Sequence, residues 1–171
     1  MKNEKQNIEY HTACGFLDHY NQHLGADYSI YEINDAPDIR CKDSKGNILN
    51  LEITTTEDSD GDIICALGRS DKKSLPHLKE HLKRVREGKE TIKINSLSGN
   101  VNATLFCRIE AKLMNDYGNN VALVIRDTSG VDWDWDYEIS TIAERLSGKR
   151  NPFDKGIWLL NRAMTRLFKI V

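Results

Sequence analysis

Asp38 and Glu52 are the two residues whose types and spacing most plainly allow chemistry. They lie within the stretch from Asn34 to Thr56, NDAPDIRCKDSKGNILNLEITTT, which has the pattern of two short strands joined by a tight turn, Asp38 at the start of the first strand and Glu52 near the end of the second. Lys45, Gly46 and Asn47 are turn formers, and Gly46 is free to take a positive φ. Beyond the turn, Leu49, Leu51 and Ile53 alternate with Asn50, Glu52 and Thr54, the period of a strand with two unlike faces. Folding this hairpin brings Asp38 toward Glu52. Two carboxylates at a sheet edge repel each other, and loss of water worsens the repulsion unless a cation lies between them. A hard divalent ion such as Mg²⁺ suits an all-oxygen ligand set. The plainer alternative is a pair of solvated acids beside a turn.

Three other constellations have metal-ligand residue types. His19 and His23 stand four apart on a predicted helix, as zinc ligands can, but no third ligand is placed with them. His77, Glu80 and His81 spell H-x-x-E-H, the string of the inverted zinc proteases, where the glutamate activates water. Here the string lies among lysines and arginines that disfavour another cation, and 171 residues are few for such a catalytic domain. Glu57 to Asp62, EDSDGD, lacks the spacing and the closing glutamate of a calcium loop and reads as a solvated turn.

Around the hairpin the periodicities predict the elements that must position it. Glu4 to Leu24 has the spacing of a helix stopped by Gly25, and Tyr28 to Ile33 that of a strand. Ser74 caps a predicted helix to Glu87, with Leu75, Leu78, Leu82 and Val85 as its buried stripe. Ile92 to Ile94 is short and β-prone, and Ser96 to Asn100 is a turn. Asn102 to Asp116 is the next helix, with Leu105, Ile109, Leu113 and either Met114 or Phe106 on its apolar side. Arg108 and Lys112, four apart, project together from it. Val121 to Ile125 is a continuous apolar run, as in a strand covered on both faces. A helix from about Tyr137 to Leu146, a buried strand at Ile157 to Leu160 and an edge strand at Arg166 to Val171 complete the chain. The acidic segment that contains Trp133 and Trp135 suits either a partner surface or a cover over the core.

Length and composition agree with one domain over residues 1–171. No apolar run approaches the length of a membrane span, and the first residues lack the apolar centre of a signal peptide. Cys14, Cys41, Cys65 and Cys107 are widely spaced, with no CxxC pair, which suits free thiols in a reducing compartment. The expected location is therefore the cytoplasm, with no membrane partner. A net charge of −2 excludes a global attraction to nucleic acid. Any such face is local, and the richest stretch is Arg69 to Lys89, with eight Lys or Arg against three acids. Lys79, Lys83 and Arg86 are its candidate phosphate contacts, with a solvated helix face as the alternative.

This order of elements resembles the PD-(D/E)xK nuclease superfamily. Pro37-Asp38, Glu52-Ile53-Thr54 and the stretch Ile109 to Tyr117 (IEAKLMNDY) carry the resemblance. The third motif position, normally lysine, is Thr54 here. Some branches have E-x-T, with the lysine moved to the following helix in a pattern like I-x-x-K-x-x-x-x-Y, and Lys112 fits that place. The resemblance implies an α/β (α+β) fold, a central mixed β-sheet flanked by helices, of restriction-endonuclease-like type. It implies a metal-dependent nuclease acting on DNA, in restriction, repair or defence. Asp38, Glu52 and Lys112 would be catalytic, and Mg²⁺ or Mn²⁺ would be held by Asp38, Glu52, the Ile53 carbonyl and a further carboxylate such as Glu9. Arg108 would clamp a phosphate, and a homodimer or larger complex would suit duplex cleavage. The alternatives are a non-catalytic binding or assembly module of the same fold, its site decayed at Thr54, and more remotely a zinc protease using His77, Glu80 and His81.

Overall fold

The computed structural model describes residues 4–56, 84, 87–89, 101–128 and 133–171. Among these, six strands form one mixed sheet flanked by three helices, an α+β architecture. The helices are α1 (Glu4–Leu24), α2 (Val101–Leu113) and α3 (Trp135–Leu146). The strands are β1 (Ser29–Ile33), β2 (Ile39–Lys42), β3 (Ile48–Thr55), β4 (Val121–Arg126), β5 (Ile157–Leu160) and β6 (Leu167–Lys169). They lie side by side in chain order, with β3, β4 and β5 parallel and the three outer pairings antiparallel. Parallel neighbours need a crossover, and α3 lies between β4 and β5 in the chain, as α2 lies between β3 and β4.

Strand parity sorts the sheet into two apolar layers. Ile39, Cys41, Leu49, Leu51, Ile53, Ala122, Val124 and Trp158 pack with Phe16, Leu17 and Tyr20 of α1. Val121, Leu123, Ile125, Ile157 and Leu159 face the other way, onto Leu105 and Ile109 of α2 and Ile142 and Leu146 of α3. Strand β4 is therefore buried on both faces, which is why Val121 to Ile125 is an unbroken apolar run, with the buried Arg126 at its end.

Most predicted elements lie within a residue or two of their expected positions. Helix α1 ends at Leu24, where Gly25 takes φ +61° and the Ala26 N–H reaches back to the Asn21 carbonyl. Gly46 takes φ +89° in the hairpin turn, closed by Asp43, whose carboxylate accepts from the Lys45 and Asn47 N–H groups. Helix α3 begins two residues earlier than expected, because the Asp134 side chain caps it by accepting from the Tyr137 N–H. On α2, Phe106 and not Met114 joins the apolar side; Met114 is 82% exposed. Trp135 is core, and Trp133 packs against the same cluster, so this pair covers the core. The helix predicted over Ser74–Glu87, the strand at Ile92–Ile94 and the turns at Glu57–Asp62 and Ser96–Asn100 lie wholly or almost wholly outside the described residues. Among the described residues no helix is long and apolar enough to cross a membrane.

Candidate active site

The site forms at the start of β2. In the β2–β3 register Ile39 stands opposite Leu51, so the next pair outward is Asp38 opposite Glu52. Asn50 and Thr56 direct their N–H groups to β4, so by parity Ile53 directs its own N–H and carbonyl to the β2 side. Strand β2 does not reach that far, since it begins at Ile39, and the Asp38 side chain takes the place of a strand partner. Its Oδ2 accepts the Ile53 N–H at 2.7 Å. The hairpin thus fixes the first carboxylate by a backbone hydrogen bond, on the same side as the Ile53 carbonyl.

Glu52 points the other way from Leu51 and Ile53, toward the α2 layer. Ile109 and Leu113 anchor α2 on the sheet and place Lys112, on the same flank, above Glu52. The Lys112 ammonium donates to Glu52 Oε1 at 2.6 Å, across 60 residues of sequence. The other carboxylate oxygen, Glu52 Oε2, is buried and has no hydrogen-bond partner among the described residues. The face of β3 expected to be polar is therefore covered: Glu52 is 5% exposed and Thr54 9%. Thr54, two residues along on the Glu52 side, supplies a hydroxyl and no charge.

Helix α1 closes the site from the other layer. Glu9 is buried, and its Oε1 lies 3.2 Å from the Lys5 ammonium one turn earlier. The same ammonium is 3.9 Å from Asp38 Oδ1. Three buried acids, Glu9, Asp38 and Glu52, thus share one region with two lysines.

The electrostatics express this crowding. Burial above all, and then the charge of Glu52, push Asp38 up to about 7 from an ordinary 3.8; the Ile53 N–H opposes the rise. Burial also raises Glu9, against the pull of Lys5. Burial works against the charge on Lys112, but the Glu52 hydrogen bond and attraction outweigh it, so the ammonium is held above its usual pKa. Lys5 is likewise raised, its burial outweighed by Glu9 and the neighbouring acids. Tyr117 lies within reach of the same field. Burial raises its phenol, the Asn115 amide donates to its oxygen at 3.1 Å, and Glu52 adds to the rise. Its ring stacks on Phe153, with centroids 5.1 Å apart.

Among the described residues no group of three His, Cys, Asp or Glu side chains is disposed to hold a metal ion by itself. The donor set suits a cation that needs fewer protein ligands. Mg²⁺ typically takes one or two carboxylates and keeps several waters. Asp38, Glu52 with its unpartnered Oε2 and the β2-facing Ile53 carbonyl are hard oxygen donors of that kind. His19 does not belong to such a set: its Nε2 lies 2.9 Å from the Met164 carbonyl oxygen. Arg108 sits half-buried one turn before Lys112 on α2. Lys79, Lys83 and Arg86, and the H-x-x-E-H string at His77, Glu80 and His81, lie outside the described residues.

Two features have no counterpart in the sequence reading. Lys5 has no local signal, because only the docking of α1 on the sheet brings it to Asp38. A buried polar knot also ties the ends of β3 and β4: the Thr128 N–H donates to Thr56 Oγ1 at 2.9 Å, and that oxygen lies 3.4 Å from Asp127 Oδ1. The one local signal for the knot is the run of polar residues directly following each strand. The chain matches no protein-family model, no curated protein and no solved structure.

Proposed function

We propose that this chain is a metal-dependent nuclease of restriction-endonuclease-like architecture that hydrolyses DNA phosphodiester bonds. The observation that carries the reading is the pairing of Lys112 with Glu52 at 2.6 Å, beside a second buried carboxylate fixed by the Ile53 backbone. A lysine on the following helix, aimed at the β3 acid, supplies the ammonium that Thr54 cannot. Asp38, Glu52 and the Ile53 carbonyl are the residues proposed to hold Mg²⁺ or Mn²⁺, with Glu9 behind them. When bound, such an ion neutralises phosphate charge and acidifies a water. Lys112 orients the attacking water and stabilises the charge that develops on phosphorus-bound oxygen. Thr54 has a role confined to hydrogen bonding, since its hydroxyl is no base near neutral pH. Arg108 and the basic run containing Lys79, Lys83 and Arg86 are the proposed phosphate contacts.

The test is cleavage of plasmid and linear DNA by the purified chain with Mg²⁺ or Mn²⁺. Cleavage is expected to need the metal and to vanish in Asp38→Ala and Glu52→Ala, with circular dichroism unchanged. Cleavage that survives either substitution, or that proceeds in a chelator, contradicts the assigned roles. Metal and DNA binding with no cleavage under any condition would favour a non-catalytic module of the same fold.

A further inference from the structure

Lys5 is placed where helix electrostatics alone would not put it. It lies in the first turn of α1, where the helix dipole disfavours a cation. It also precedes Glu9 by four residues, the weaker order for such a pair on a helix. Its surroundings supply the missing reason. Its ammonium is 3.2 Å from Glu9 Oε1 and 3.9 Å from Asp38 Oδ1, and both of those carboxylates are nearly sealed from water. The lysine itself is 73% exposed along its side chain, against 6% and 3% for its two partners. Two buried acids on different elements are therefore served by one cation on a long, solvated arm.

We propose that Lys5 is a tethered counter-cation for the Asp38 site, exchanged for the divalent ion when that ion binds. The inference rests on the proposed metal-binding role of Asp38 and Glu52. In the metal-free protein Lys5 neutralises the Glu9–Asp38 side, while Lys112 neutralises Glu52 from the opposite layer. A divalent ion brought to Asp38 repels the Lys5 ammonium, and the exposed arm returns to water at little cost, because most of it is already solvated. Lys112 differs: it is largely enclosed and stays on Glu52. The two lysines thus divide the work, one fixed and one replaceable. Metal affinity is weakened by the competition, and the metal-free fold is protected from the repulsion of its own acids.

The test compares Mn²⁺ binding by wild type, Lys5→Met and Lys5→Arg, using titration calorimetry at pH 8 and constant ionic strength. Met keeps the unbranched arm up to the missing ammonium, without its charge, and Arg keeps the charge. Lys5→Met is expected to bind Mn²⁺ about five- to tenfold more tightly, as removal of one unit charge near 4 Å implies. Lys5→Arg is expected to stay within about twofold of wild type by the same charge argument. In metal-free buffer Lys5→Met is expected to melt at a lower temperature than wild type, and in saturating Mn²⁺ the two should coincide. Affinity that is equal or weaker in Lys5→Met, with Mn²⁺ bound by wild type, overturns the exchange and leaves the nuclease reading intact. Absence of Mn²⁺ binding by all three proteins overturns both.

Discussion

Lys112 and Glu52 meet at 2.6 Å while the second oxygen of Glu52 is buried without a hydrogen-bond partner among the described residues. The pair is half of an arrangement: Lys112 satisfies one oxygen, and the charge of Glu52 also acts on Asp38. A buried carboxylate with only one lysine contact retains charge that a further cation can use.

Loss of Lys112 should therefore harm stability as well as chemistry. Lys112→Met leaves Glu52 buried with no ammonium and is expected to cost about 2–3 kcal/mol. Adding Glu52→Gln removes the stranded charge, so the double variant should recover most of that loss in urea denaturation. Additive losses would show that the pair contributes nothing by itself.

Moving the ammonium should restore part of the activity. Lys112→Met is expected to lower cleavage at least about 100-fold. Thr54 projects to the Glu52 side of β3, so Thr54→Lys in that background offers an ammonium from the strand. A recovery of about tenfold or more is expected, provided the melting temperature shows that the enclosed position accepts the longer side chain. No recovery in a folded double variant would mean that the helix origin of the lysine matters, and that Thr54 is not the equivalent position.

The pH dependence of stability follows from Asp38. Its carboxyl titrates at about 7 in the folded chain, against an ordinary 3.8. The folded state therefore binds more protons than the unfolded state between those values. Without metal, stability should fall as pH rises from about 4 to about 7, then level off, with a limiting slope of about 1.4 kcal/mol per pH unit. Glu9, also raised, adds to the same trend. Asp38→Asn should flatten the curve and raise the melting temperature at pH 8. A wild-type curve that rises over this interval would contradict the burial and repulsion assigned to Asp38.

DNA affinity should be set by the basic run and not by the net charge of −2. Reversal of charge at Lys79 and Lys83 is expected to weaken duplex binding and to reduce the salt slope by about one to two phosphate contacts. Binding and slope that do not change would return these residues to a solvated face.

Local signals in the sequence account for most of the framework and for two of the three central side chains. The spacing of Phe16, Leu17 and Tyr20, the stop at Gly25, the hairpin turn at Gly46 and the apolar run of β4 are each written in consecutive residues. The opposition of Asp38 and Glu52 follows from a short turn, so it too was legible. Lys112 could be placed only by its resemblance to a motif, because its contact with Glu52 spans 60 residues. Lys5 carried no signal at all, since its pairing with Asp38 depends on how α1 lies across the sheet. The alternation in β3 also misleads about exposure. It separates two faces correctly, but the second face is enclosed as well: Glu52 is 5% exposed and Thr54 9%.

A divalent ion is proposed to complete the charge balance between Asp38 and Glu52. Anomalous diffraction from a crystal soaked in Mn²⁺ at pH 8 tests it most directly. A single strong peak within bonding distance of a carboxylate oxygen from each residue, with Lys112 still on Glu52, is the predicted result. A crystal in which the manganese signal is absent from this site, or lies elsewhere while the two carboxylates keep their positions, would contradict it.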